Sequence, residues 1–91
     1  MTADQVYDVL VTNAGATDHP TNRAMFRHFW DHHQPGGLDE FRFMGSLGFG
    51  GKLWRNARTN ECHVSCYREH ETPERLATIA ATDAALAALP R

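Results

Sequence analysis

Residues 40–68 read EFRFMGSLGFGGKLWRNARTNECHVSCYR, and this stretch decides the fold class. Phe41, Phe43 and Leu47 alternate with Arg42 and Ser46, Leu53 and Trp54 mark a second short run, and Cys62, Val64 and Cys66 alternate with His63, Ser65 and Tyr67. A period of two puts successive side chains on opposite faces of a strand, so the three runs are read as three strands. The polar NARTN segment between the second and third has the length of a hairpin loop. The expected unit is a three-stranded antiparallel meander. Gly45, Gly48, Gly50 and Gly51 make its first turn irregular, with room for a bulge or a tight bend.

Helical patterns flank this block. Thr2-Ala-Asp-Gln5 has the form of a capping box, and Val6, Val9, Leu10 and Ala14 follow at helical spacing before Gly15, which predicts a helix over about 3–14. The β-branched residues Val6, Val9, Val11 and Thr12 support the competing reading, a strand ending at Asn13-Ala-Gly15. In the next segment Met25 and Phe29 share one helical face and Phe26 and Trp30 another, giving a second helix over about 20–33 that ends at Gln34-Pro-Gly-Gly37. Thr72-Pro73-Glu74 is a strong helix start, and Leu76, Ile79, Ala80, Leu86 and Leu89 outline a third helix over about 73–89. The expected architecture is one α+β domain over residues 1–91: two N-terminal helices, the three-stranded antiparallel meander, and a C-terminal helix packed on the sheet.

Charge is distributed unevenly. Residues 41–68 carry Arg42, Lys52, Arg55, Arg58 and Arg68 against Glu61 alone, a local charge of +4, while the other 63 residues carry four basic and ten acidic side chains, or −6. Such asymmetry steers an oppositely charged partner toward one face although the net charge is only −2. The bland explanation is that strand edges carry Arg and Lys to discourage edge-to-edge pairing. The N-terminal MTADQVYDVLV has no secretory-signal pattern, and no apolar run approaches the ~20 residues that span a bilayer, so no membrane partner is implied. A cytoplasmic setting is expected, with Cys62 and Cys66 as reduced thiols.

The six histidines call for a metal test. His28 and His32 lie one helical turn apart and could bind one ion from one helix face, but the glutamate of the zinc motif is missing and no third ligand is placed by spacing, so solvated or partly buried histidines beside Phe29 and Trp30 are the preferred reading and no metal site is expected. Cys62 and Cys66 in a strand would stand about 13 Å apart at ~3.3 Å per residue, too far to share a zinc or form a disulfide. Small core side chains are the preferred reading for both, ahead of a Cys66–His70 nucleophile pair. The glycine-rich segment lacks both the P-loop and the dinucleotide-fingerprint order. No cofactor is implied, and no catalytic motif is recognised.

The strings GSLGFGGKLWRN and HVSCYREHETPER, followed by an alanine-rich helix, resemble small uncharacterised accessory proteins encoded by actinobacterial phages, over about residues 40–90. The resemblance implies expression inside a bacterial host and action by binding a host or phage macromolecule. The functional expectation is a non-enzymatic binding module whose basic hairpin surface, built from Arg42, Lys52, Trp54, Arg55 and Arg58, engages an acidic protein surface, with the Trp54-Arg55 pair as anchor. The alternatives are a nucleic-acid-binding protein using the same surface, with phosphates on the cations and bases on exposed aromatics, and a structural or virion-associated subunit of a homo-oligomer.

Overall fold

The computed structural model describes residues 1–32, 38–42, 51–56 and 58–90, with the backbone alone for 38–42. The Gln34–Gly37 stop, His33, Phe43, Ser46, Leu47, Phe49 and the glycines at 45, 48 and 50 lie outside the described residues.

Helix α1 spans Ala3–Ala14. Its start is the capping box itself: the Gln5 amide donates to Thr2 Oγ1 at 3.2 Å, and Gln5 Oε1 accepts from the Thr2 amide at 2.8 Å. Its end is Gly15, which takes φ 70°, a left-handed value that glycine reaches without steric cost. The competing strand reading therefore loses to the caps. Val6, Tyr7, Leu10 and Ala14 form the buried stripe.

Helix α2, Pro20–Asp31, begins with proline at its first position, and His19 Nδ1 accepts from the Thr21 amide at 3.1 Å. Of the two apolar pairs legible on it, Phe26 and Trp30 turn inward, while Met25 and Phe29 remain 46% and 43% exposed. The Tyr7, Phe26 and Trp30 rings form a chain, with centroids 5.2 Å and 5.9 Å apart. Helix α3, Pro73–Ala87, opens on Thr72, whose Oγ1 accepts from the Arg75 amide at 3.2 Å. Leu86 and Thr82 are its buried residues, and Leu76, expected on the packing face, is exposed. Thr82 is tolerated there because its hydroxyl donates to the Thr78 carbonyl at 2.8 Å.

The strands require a correction. The sheet that closes the core is two-stranded, not the expected three-stranded meander: the hairpin of β2 (Lys52–Asn56) and β3 (Cys62–Ser65) supplies the described inward-facing strand residues, Leu53, Arg55, Cys62 and Val64. An extended backbone segment, β1 (Leu38–Arg42), runs antiparallel along β2 with Leu38 opposite Asn56 and Arg42 opposite Lys52. It starts earlier than the Phe41–Leu47 run from which the first strand was read, and of that run only residues 41 and 42 are among the described residues. Glycine adds no side chain to a pleated face and weakens strands, so apolar alternation among four glycines is a poor strand signal.

The hairpin turn is chemically explicit. Asn56 Oδ1 accepts from the Arg58 and Thr59 amides, and Asn60 takes φ 61°, a left-handed value that asparagine tolerates better than most residues. On the far edge of the hairpin, the Val64 amide points away from β2 and donates to Asp83 Oδ1 of α3 at 2.7 Å. Helix α3 thus packs on β3 and α1 while occupying a backbone donor that would otherwise template another strand.

Tyr7 links this core to alkaline stability. Its hydroxyl donates to the Thr17 carbonyl at 2.7 Å. Burial pushes the phenol above its ordinary value of 10, an effect only partly offset by the nearby Arg23 guanidinium. Above pH 10 the unfolded chain gives up this proton first, so the folded state holds more protons and stability falls as pH rises through the folded-state pKa. Thermal unfolding between pH 8 and 11 should show a steeper alkaline loss for the wild type than for Tyr7→Phe. The variant should also lose about 1 kcal/mol at neutral pH with the Thr17 hydrogen bond.

Candidate binding surface on the hairpin

Alternation along β2 and β3 sorts the hairpin residues. Leu53, Arg55, Cys62 and Val64 face the helices; Lys52, Trp54, His63 and Ser65 stand on the other side and are half-buried. The register sets Trp54 opposite His63 and Lys52 opposite Ser65. Trp54 and His63 stack with centroids 6.2 Å apart and planes 14° from parallel, and Trp54 Nε1–H donates to Ser65 Oγ at 2.7 Å. The indole is therefore held in one orientation by its only polar atom. Just past β3, Tyr67 is 41% exposed and its ring lies 4.5 Å from the Lys52 ammonium, a cation–π contact. Arg58 in the turn and Arg68 in the single 3₁₀ turn Arg68–His70 are exposed.

The expected Trp54-Arg55 anchor does not exist as a pair on one surface. Arg55 is only 6% exposed, and its guanidinium lies 3.4 Å over the Trp30 ring. Nη1 donates to the Trp30 carbonyl at 2.9 Å, and Nη2 and Nε donate to Asn60 Oδ1 at 2.9 Å and 3.2 Å. The Trp30 carbonyl belongs to the last turn of α2, where the helix dipole favours a cation. Arg55 therefore ties the end of α2 to the hairpin turn and is removed from the partner-facing set. Arg42 is placed only by its backbone, opposite Lys52. Of the expected residues, the structure brings Lys52 and Trp54 to one face and puts Arg58 in the adjoining turn.

The two arginines of α2 are engaged in ion pairs. Arg23 pairs with Asp4, Asp8 and Asp18, and Arg27 with Asp4, across α1 and α2. Hydrogen bonds that Arg23 donates to Asp18 and Asp8 hold its guanidinium more firmly protonated than usual.

The residues weighed for chemistry are dispersed. Cys62 is buried and its thiol donates to the Asn60 carbonyl at 3.4 Å, Cys66 is half-buried against the core, and both are free thiols. His70 packs edge-on to Tyr67 at 5.8 Å. A hollow of about 290 Å³ beside β3 is lined by Glu61, Cys62, His63, Asp83 and Leu86, and its Asp83 carboxylate is committed to the Val64 amide. Among the described residues, no three His, Cys, Asp or Glu side chains converge as a metal site, and no helix is long and apolar enough to cross a membrane.

No family model, curated protein or solved structure matches the chain. The functional reading therefore rests on the surface itself. Tyr67 was expected as a stacking aromatic if exposed, and His63 and Ser65 are the contributors that sequence reasoning did not assign to the surface. Their strand parity was legible, but the cross-strand register that brings them to Trp54 and Lys52 was not.

Proposed function

We propose that this chain is a non-enzymatic binding module that engages an acidic macromolecule of a bacterial host or phage through the outer face of the β2–β3 hairpin. The observation that supports this most directly is the sorting of β2, which puts Lys52 and Trp54 on the side away from the helical core, with Lys52 over the exposed Tyr67 ring. Rigid aromatics beside a cation are the composition of an interface anchor: Trp and Tyr give contact area at low entropic cost, and the cation selects carboxylate-rich surfaces. Arg58 and Arg68 extend the positive field, and the resemblance to phage accessory proteins agrees with action by binding.

The test is a double charge reversal, Lys52→Glu with Arg58→Glu, which leaves the core residue Arg55 untouched. Circular dichroism should be unchanged, while recovery of an acidic partner from host lysate should fall roughly tenfold or more. Equal recovery by the two proteins rejects the surface.

The Trp54–His63 stack and the exposed Tyr67 ring favour a second reading, single-stranded nucleic acid on the same face, because every base has a stackable π-face. Titration with defined oligonucleotides separates the two. Phosphate contacts make affinity fall steeply with salt, and no binding at low salt removes this alternative.

A further inference from the structure

We propose that His28 and His32 form a two-imidazole site on α2 for a divalent first-row transition ion, with Cu²⁺ the tightest-bound. The site lies outside the hairpin surface and does not depend on it. Both side chains are exposed, one helical turn apart at the end of α2, and their rings are stacked with centroids 4.2 Å apart and planes 24° from parallel.

The decisive detail is the tautomer. His32 Nδ1 lies 2.8 Å from the His28 carbonyl oxygen. A carbonyl only accepts, so Nδ1 carries the proton and donates it, and the neutral ring is left with its lone pair on Nε2. A ligating histidine in a metal site has the same arrangement, its second nitrogen held by a backbone carbonyl that fixes both tautomer and ring orientation. The same carbonyl accepts the His32 backbone amide at 3.0 Å, so the anchoring group is itself part of the helix end.

Metal–imidazole bonds of about 2.0–2.1 Å require the two Nε2 atoms to approach within about 3 Å, and because each lone pair lies in its ring plane, the two stacked rings must splay apart from their near-parallel arrangement for both to reach one ion. Solvent completes the coordination shell, since the protein supplies two donors. Imidazole donors favour Cu²⁺, Ni²⁺ and Zn²⁺, with Cu²⁺ first in the stability order, whereas Mg²⁺ and Ca²⁺ prefer oxygen. Because His28 lies in the last turn and His32 is the C-cap, the ion would clip the helix end and stabilise the folded state.

The experiment is calorimetric titration of the full chain with CuCl₂, NiCl₂, ZnCl₂ and MgCl₂, together with thermal unfolding and electron paramagnetic resonance of the Cu²⁺ form. The expected result is one equivalent of Cu²⁺ with two nitrogen couplings, a rise in Tm of about 5 °C or more at saturation, weaker Ni²⁺ and Zn²⁺ binding, and no Mg²⁺ response. His28→Gln and His32→Ala should each weaken Cu²⁺ roughly tenfold or more, and His70→Ala should leave it unchanged. No Cu²⁺ binding, binding insensitive to His28→Gln and His32→Ala, or an equal loss in His70→Ala would each overturn the proposal.

Discussion

Phe26→Ala is expected to lower the unfolding free energy by about 3–5 kcal/mol, the usual cost of emptying a buried aromatic site. Phe26 is 1% exposed and its ring lies between those of Tyr7 on α1 and Trp30 on α2, so truncation opens a cavity where the two helices meet. A chain of 91 residues has only about 5–14 kcal/mol in hand at ordinary per-residue stability. The substitution therefore removes about a fifth of the total or more. Urea unfolding followed by far-UV and near-UV circular dichroism measures it. A loss below about 1 kcal/mol would show that this position is not a packed core site.

Arg55→Ala should cost about 3 kcal/mol, although Arg55 reads in sequence as one more exposed cation of a basic patch. The truncated side chain leaves the Trp30 carbonyl and the Asn60 side chain without their charged donor and strips the guanidinium from the Trp30 ring. Arg55→Lys separates the contributions. It keeps the charge but not the planar fork, so it should restore only part of the stability. The measurement is the same urea transition, together with Trp fluorescence. If Arg55→Ala unfolds at the wild-type midpoint, the guanidinium is not the connection between α2 and the hairpin. Reversing Arg55 would for this reason confound any binding test, so the interface prediction uses Lys52 and Arg58.

The helix starts were legible because their chemistry is local. Thr2 with Gln5, and Thr72 with Pro73, satisfy or remove amides within three residues, and no distant contact is needed to see it. The hairpin loop was legible for the same reason, since Asn56 closes it on its own neighbours. The first strand was not, and the expected three-stranded meander gives way to a two-stranded packed sheet. The choice on α2 between the Met25/Phe29 pair and the Phe26/Trp30 pair was equally open. Both have helical spacing, and only contact with Tyr7 selects the second.

The hairpin strand β2 shows the same division within three consecutive residues. Once Leu53 is placed in the core, parity alone sends Arg55 inward and Trp54 outward. The ordinary preference of tryptophan for the interior and of arginine for water argues the opposite. What settles it is a carbonyl acceptor and an aromatic face 25 positions earlier, at Trp30, which make an interior guanidinium affordable.

Composition, caps and turn residues by themselves determined the three α-helices among the described residues, where two of them begin, and where the hairpin turns. Those features depend on hydrogen bonds between residues a few positions apart, which a sequence displays directly. Tertiary structure decided which apolar stripe is core, which cation is buried, and which side chains share the outer face. Each of those depends on a partner many residues away, and no local pattern encodes the distance between two segments that meet only when the chain has folded.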